Sequence, residues 1–475
     1  MRAEMTHEQE TGGAGRSARL WAYPVLGCLL CLSTAPLLAA LWQEVHTTRL
    51  GQQSNAAQTA LGPSAIGMDA DAVLGSQSPV GAGHAVAEHE AAAPSGGLNW
   101  VRAVIQRLRT EPPGQARLKQ WHDRVRISML RSSPNPKVVV GADKDWLFFM
   151  PAGIGLPAYT HQRPFSSAEL EHWRRFVEQR VAWFAARGVQ YVMVVAPNKS
   201  AVYADQVPGR LAQFANPGRL DQLLAVLQPA TREHVIDLRG VLREQAAIVQ
   251  NYYRLDSHWN DRGAYRAYQY MLKRIRSLSL QGPAPLPKSW AVPVQTLSQW
   301  EPLAERHDLA ALLNDPEFLQ EGTLRLTPRV SSYEQELIPL SQLTRLRDPG
   351  LATSSRFYPR LLRQKGRASE ALPTCVAFRD SFFHALTPFI AQHCRSLSLL
   401  KHPDKPGVPA LEIDVPYLAK VRPHVVIEQF VDRLFYRAHN GAPRLLDELA
   451  EQQFPMGVPT KAVPRIAHST TDVLH

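Results

Sequence analysis

Thr374-Cys-Val-Ala-Phe-Arg-Asp-Ser-Phe-Phe-His384 is the stretch on which the fold turns. Thr374 to Phe378 has the composition of a strand, Phe382 to Gln392 the spacing of a helix, and Asp380-Ser381 stands at the junction. A strand that passes into a helix through a serine has the geometry of a nucleophile elbow, with the hydroxyl lifted clear at the C-terminal edge of a sheet. Amides at the start of the helix, Ser381 N–H among them, then face the place where an oxyanion would form. Taken alone, Asp380-Ser381 is also what an ordinary helix N-cap looks like.

The stretch gains meaning from Asp256-Ser-His-Trp259, far upstream. Asp256 and His258 lie two positions apart, so on an extended segment they project to the same side. Carboxylate, imidazole and hydroxyl are the three parts of a serine nucleophile. Ser381 attacks an acyl carbon, His258 takes its proton, and Asp256 holds the imidazole tautomer and stabilises the imidazolium. By itself Asp256-x-His258 is also a surface turn with a tryptophan packed beneath; two such motifs at expected strand ends of one domain support each other. His384 is a rival base, but one helical turn beyond Ser381 it reads as a surface or supporting residue. Asn198 and Lys199, on the loop after an expected strand, could supply an oxyanion donor or a substrate contact, and equally a turn or helix cap.

Around the two motifs the pattern alternates. Val138 to Gly141 reads as a strand entering a turn, and Trp146 to Phe149 as a second strand. Ser166-x-x-Glu169 is a capping box, followed at helical spacing by Leu170, Trp173, Phe176, Val177, Val181 and Phe184 as far as Gly188. Tyr191 to Ala196 is a continuous apolar run of strand length, as in a sheet covered on both faces. Leu220 to Leu227 reads as a helix, Val235 to Leu238 as a strand, Asn260 as the cap of a helix reaching about Leu278, and Val425 to Glu428 as a late strand. Strands alternating with helices predict an α/β layer fold around a largely parallel sheet. Residues 280–363 are Pro-rich and break the alternation, with short helical pieces around Leu309 to Leu319. They read as an insertion that covers or borders the site.

With 475 residues, 45% hydrophobic and 20% charged, the chain has globular composition and room for one large or two medium domains. A surplus of 53 Lys and Arg over 42 Asp and Glu gives a net charge of +11, which favours polyanionic partners. No basic cluster interleaves with aromatics and no zinc-finger or helix-turn-helix pattern occurs, so nucleic acid is not expected. Leu20 to Gln43 contains no charged residue and is long enough to span a bilayer. Arg16 and Arg19 before it and Glu44 after it place residues 1–19 in the cytoplasm, and Trp21, Tyr23 and Trp42 sit where interfacial aromatics belong. A cleaved signal peptide is the alternative, but the run is long and lacks an A-x-A end, which favours an uncleaved anchor over 20–43. Residues 44–97, rich in Ala, Gly, Ser and Gln, read as a flexible tether. A helical lead-in over 98–136 precedes a packed domain over 137–440, and 441–475 reads as a short helix and loose tail. Cys28 and Cys31 lie inside the anchor, without the polar surroundings of a redox or metal site. Cys375 and Cys394 are compatible with a disulfide and equally with two buried thiols. Nothing in the pattern calls for a metal or cofactor.

The chain resembles the AlgJ/AlgX-type family of SGNH hydrolase-like polysaccharide O-acetyltransferases. Five segments carry the resemblance: Val139-Val-Gly-Ala-Asp-Lys-Asp-Trp-Leu-Phe148; Val195-Ala-Pro-Asn-Lys-Ser-Ala-Val-Tyr203 leading to Pro208; Tyr253-Arg-Leu-Asp-Ser-His-Trp-Asn260 with Gly263-Ala264; Phe378-Arg-Asp-Ser-Phe382; and Arg422-Pro-His-Val-Val-Ile-Glu428 with Asp432-Arg433. As in that family, Asp-x-His precedes the serine, reversing the usual SGNH order. The resemblance implies a three-layer SGNH hydrolase-like fold behind one N-terminal transmembrane helix. It implies a periplasmic domain, held by a single pass in a bacterial inner membrane, that acetylates sugar hydroxyls of an exported polysaccharide such as alginate or cellulose. It implies as partners that polysaccharide, a membrane-bound O-acyltransferase that hands over the acetyl group, and other export-complex subunits. Arg379 departs from the pattern: it replaces the small residue, often Gly, that usually precedes Asp-Ser, and a bulky cation there could narrow the site or bind an anionic sugar. A non-catalytic polysaccharide-binding scaffold and a polysaccharide acetylesterase are the alternative functions.

Overall fold

The computed structural model describes residues 115–454, apart from 144, 212, 215, 282–285, 303–306, 314–320, 330–332, 345–357, 366–369, 404–410 and 438–442. Among the described residues the strands are Val138–Val140 (β1), Leu147–Phe149 (β2), Gln190–Ala196 (β3), Val235–Asp237 (β4), Thr296–Pro302 (β5), Gly322–Pro328 (β6), Tyr333–Leu337 (β7), Arg360–Gln364 (β8), Thr374–Arg379 (β9), Ser396–Lys401 (β10) and Val425–Val431 (β11). A seven-stranded sheet runs in the order β4-β3-β11-β9-β10-β8-β7. From β4 to β10 every pairing is parallel. Both pairings of β8 are antiparallel.

β3 and the first residues of β9 and β11 are covered on both faces, which is why Tyr191 to Ala196, Cys375 to Phe378 and Val425 to Ile427 run apolar without a polar alternate. Val192, Val194, Ala377, Val425 and Ile427 face a core filled by Ala264, Tyr268, Met271 and Ile275 of the helix Asp261–Ser279. Tyr191, Met193, Val195, Val376, Phe378 and Phe430 face the opposite core, filled by Trp173, Phe176, Val177 and Phe184 of the helix Ser167–Ala185. Helix, sheet and helix make the three layers. Both helices begin at the expected caps: Ser166 Oγ accepts from Glu169 N–H while Glu169 returns a carboxylate to Ser166 N–H, and Asn260 Oδ1 accepts from Gly263 N–H at 3.1 Å. A Cβ on Gly263 would lie 2.2 Å from the Asn251 carbonyl oxygen, so this turn of helix can approach the preceding segment only as glycine.

The sheet is mixed rather than largely parallel throughout, and the insertion is the cause. Its β7 and β8 extend the edge beyond β10, where antiparallel pairing needs no crossover helix. β7 alternates poorly and is mostly exposed, which hid it from a periodicity reading. β5 and β6 pair with each other over the helix Asp261–Ser279. The helix expected from Phe382 to Gln392 is three short turns instead, Ser381–Ala385, Thr387–Ile390 and Ala391–His393, with Pro388 lacking the amide that would continue a ladder. Cys375 on β9 and Cys394 form a disulfide. The expected anchor 20–43, the tether and the first part of the lead-in lie outside the described residues. Among the described residues no helix is long and apolar enough to cross a membrane.

Candidate active site

Three strand ends meet at one level. Ala196, the last residue of β3, lies opposite Val431 at the end of β11, and Glu428 of β11 lies opposite Phe378 of β9. Continuing that register brings Ser381 level with Val431 and Ala196. Asp380 fixes the junction: its Oδ2 accepts from Val431 N–H at 2.7 Å and its Oδ1 from Phe382 N–H at 2.9 Å. Asp380 is thus the N-cap, and Ser381 is the residue it presents.

Asp256 and His258 arrive on a loop, not on the extended segment their spacing predicted. Tyr252 and Trp259 pair as an isolated antiparallel bridge, and the residues between them bulge outward. Asp256 Oδ1 accepts from His258 N–H at 2.8 Å and lies 2.6 Å from His258 Nδ1. A local Asx turn, rather than strand alternation, therefore puts carboxylate and imidazole on one side. His258 Nε2 lies 2.7 Å from Ser381 Oγ. Asp256, His258 and Ser381 form one continuous hydrogen-bonded chain, with the His258 side chain 26% exposed and so open to a ligand. Trp259 ties the two motifs together by donating from Nε1 to the Phe382 carbonyl at 3.1 Å, and it is buried in the core, as its size suggests.

The loop has no ladder of its own, so its backbone groups are satisfied from outside. The Lys199 ammonium donates to the carbonyls of Tyr253, Arg254 and Asp256 at 2.9, 2.9 and 2.6 Å. On the other side Glu321 accepts from the amides of Arg254 and Leu255, and Asp308 Oδ1 accepts from Ser257 N–H at 2.7 Å. Ser257 Oγ also donates to Asp308 Oδ2, and Asp308 N–H donates back to Asp256 Oδ2 at 3.0 Å. Glu321 and Asp308 both come from the insertion, which completes the site as well as bordering it. Neither was foreseen. The helical piece near Leu309 was the only signal, and no spacing connects it with Asp256.

Charge follows this geometry. Burial works to raise the Asp256 carboxyl, but the adjoining His258 and the amides of Asp308 and His258 outweigh it and hold its pKa well below the usual range. Burial works against the His258 imidazolium, yet the Asp256 and Asp308 carboxylates prevail over it and over Arg433, and the pKa is raised. Asp308 is raised by desolvation and by the Asp256 charge. Lys199 is pulled down to about 8 by burial, against the upward pull of Asp256, Asp308 and Glu321.

Two of the tentative substrate contacts turn inward. Lys199 is 3% exposed and spends its donors on the loop, lying over the rings of Trp146 and Phe148. Arg379 is 1% exposed because it ends a central strand enclosed on both faces; its guanidinium lies 3.1 Å from His384 Nε2. That contact engages His384 with Arg379 as a supporting residue. Asn198 is buried at the end of β3, and its Oδ1 accepts from Arg433 Nη1 at 2.8 Å, leaving Nδ2 as the donor of its carboxamide. Arg433 lies 5.7 Å over the Phe382 ring, beside the relay, a placement that its position in Asp432-Arg433 does not announce. Asp256, His258 and Asp308 offer ligand-type atoms within 4.8 Å of one another. Those atoms already serve His258, Ser257 and Ser381 in hydrogen bonds, so the trio works as a polar network.

A serine at the end of a parallel strand, joined to Asp-x-His on a neighbouring loop inside three α/β layers, defines a protein of the SGNH hydrolase-like class. Residues 138–334 match the family described as "SGNH hydrolase-like domain, acetyltransferase AlgX". Over those residues the chain is similar to that family. Similar solved structures include Bacillus cereus PatB1 with a sulfonyl adduct, at 14% identity and TM-score 0.45, covering 65% of this chain and 100% of that one. The O-acetyltransferase domain of Pseudomonas putida AlgJ is 18% identical with TM-score 0.36, covering 67% of this chain and 99% of that one. Pseudomonas aeruginosa AlgX is 13% identical with TM-score 0.29, covering 67% of each chain. No curated protein matches the chain.

Proposed function

We propose that this protein is an O-acetyltransferase that forms an acetyl-enzyme on Ser381 and passes the acetyl group to a hydroxyl of an exported polysaccharide. The observation that carries the reading is the unbroken relay, 2.6 Å from Asp256 to His258 and 2.7 Å from His258 to Ser381. Ser381 Oγ bonds to the acetyl carbon while its proton moves to His258 Nε2. The tetrahedral intermediate collapses, and the leaving oxygen departs with that proton. A sugar hydroxyl then gives its proton to Nε2, attacks the acetyl carbon and displaces Ser381 Oγ, which recovers the proton. Asp256 holds Nδ1–H and stabilises the imidazolium throughout. Ser381 N–H and Asn198 Nδ2 are the donors best placed, at the ends of β9 and β3, to meet the oxyanion.

The family supports acetyl transfer to a polysaccharide as the reaction class. The disulfide and the apolar run at 20–43 favour a periplasmic domain tethered to the inner membrane, since disulfides persist in oxidising compartments. An acetyl donor delivered by a membrane-bound O-acyltransferase, and contacts with other export subunits, complete the proposal. The test is the full-length protein with a chromogenic acetyl ester, with and without a polysaccharide acceptor. Ser381→Ala should lose at least a thousandfold in kcat and keep its fold. Full activity in that variant would remove the serine from the mechanism. Release of acetate to water alone, undiverted by any sugar acceptor, would make the protein an esterase.

A further inference from the structure

We propose that Asp308, supplied by the insertion, is a positioning residue that locks the Asp256–His258 loop in its working conformation and sets the charge around His258. The proposal rests on the acetyl-serine reading given above. Three observations carry it. Asp308 and the loop grip each other reciprocally: the Asp308 carboxylate takes both the amide and the hydroxyl of Ser257, while Asp308 N–H donates to Asp256 Oδ2. That last bond fills the Asp256 oxygen not used by His258, so the Asp256 carboxylate is held at both ends and cannot rotate away from the imidazole. Finally, Asp308 Oδ2 lies 3.7 Å from His258 Nδ1, which places a second carboxylate on the imidazole's Nδ1 side.

The groups that face His258 are few. Asp256 is on its own loop, Asp308 and His307 come from the insertion, Arg433 follows β11, and Lys199 lies behind the loop. Asp308 and Asp256 are the anions of this set, opposed by Arg433 and Lys199. Removing the Asp308 charge therefore favours neutral His258 and moves the acid side of the activity profile to lower pH. Removing its acceptor atoms releases Ser257 and Asp256, and the relay loosens.

Two variants separate these effects. Asp308→Ala removes charge and clamp together; it should lower kcat about 10- to 100-fold with KM for an acetyl ester unchanged, and shift the acid limb of kcat/KM to lower pH. Asp308→Asn keeps an acceptor for the Ser257 amide; it should recover most of the lost kcat yet keep the shifted acid limb. The probe is p-nitrophenyl acetate with the full-length protein, and circular dichroism reports folding. If Asp308→Ala does not fold, the acid limb of Asp308→Asn decides. Wild-type kcat and an unmoved acid limb in Asp308→Asn, with Asp308→Ala equally active, overturn the proposal. Ser381→Ala is measured alongside: if it stays active the acetyl-serine reading fails, whereas an inactive Ser381→Ala beside wild-type-like Asp308 variants sinks only the role of Asp308.

Discussion

Lys199→Met distinguishes a residue that touches substrate from one that builds the site. The Lys199 ammonium is buried and shared among three loop carbonyls at 2.9, 2.9 and 2.6 Å. Methionine leaves the Tyr253 and Asp256 carbonyls without that donor, at about 1–3 kcal/mol each, or roughly 2–6 kcal/mol in total if nothing relaxes, while the Arg254 carbonyl keeps the Leu147 amide at 2.9 Å. An opposing term comes from the charge itself. Burial brings the amine from 10.5 down to about 8, so holding it protonated at neutral pH costs about 3 kcal/mol, which methionine does not incur. The thioether also keeps the contact with Trp146 and Phe148. The net loss should be up to about 3 kcal/mol, read as a lower urea midpoint of the full-length protein at unchanged slope. Its pH dependence is diagnostic. Between about pH 8 and 10.5 the folded protein has released the Lys199 proton and the unfolded chain has not, so wild-type stability gains a rising contribution with pH that the variant lacks. Activity should respond differently from stability. The Asp256 carbonyl is one of the three acceptors, so its side chain drifts from His258, and kcat on an acetyl ester should fall about a hundredfold with KM within about twofold. A tenfold rise in KM with kcat intact would refute the structural role and return Lys199 to the substrate.

Other outcomes can be checked with the same protein. Because His258 is raised and must be neutral to accept the serine proton, kcat/KM should fall on the acid side with a midpoint above about 6.5. A midpoint at or below that value contradicts the charge arrangement. Opening the Cys375–Cys394 disulfide, whose partners are 19 apart, by reductant or by the double alanine variant should cost about 3 kcal/mol on a chain-entropy model; an unchanged urea midpoint would count against it. Gly263→Ala drives a methyl to within 2.2 Å of the Asn251 carbonyl and should destabilise by about 3 kcal/mol; a wild-type melt would show that the helix start can slide.

What could be read beforehand is what depends on neighbours in sequence. β3 and β11 were legible as apolar runs because strands covered on both faces lose the polar alternate, and both lie fully in the cores. The helix beginning after Ser166 and the one after Asn260 were legible from their caps, since a cap is a bond across three residues. The Asp256, His258 and Ser381 trio was legible because its chemistry is specific enough to outlast a wrong local structure: the reading assumed an extended segment, and the chain makes an Asx turn. β7 was not legible because an exposed edge strand carries little apolar signal, and β8, although it lies inside the sheet, was not because Arg360-Leu-Leu-Arg-Gln364 shows neither an apolar run nor a period-two alternation.

The misreadings of Lys199 and Arg379 share a physical cause with the silence about Asp308 and Glu321. A charged residue near a strand end reads as facing solvent or substrate, since burying a charge without partners is costly. Here the partners exist: for Arg379 they are the Asp380 carbonyl and the His384 ring, and for Lys199 they are carbonyls of a loop that has no ladder of its own. The loop turns three carbonyls towards Lys199 and sends its amides to Glu321 and Asp308, so one buried cation and two acids do for it what a neighbouring strand would do elsewhere. Such a loop can be specified only by residues distant in sequence, and the Pro-rich insertion, which shows no periodicity, is where two of them reside. A site of this kind should therefore tolerate changes within β5 and β7 that leave the fold of the insertion intact, yet lose its relay when the acceptors at 308 and 321 are removed.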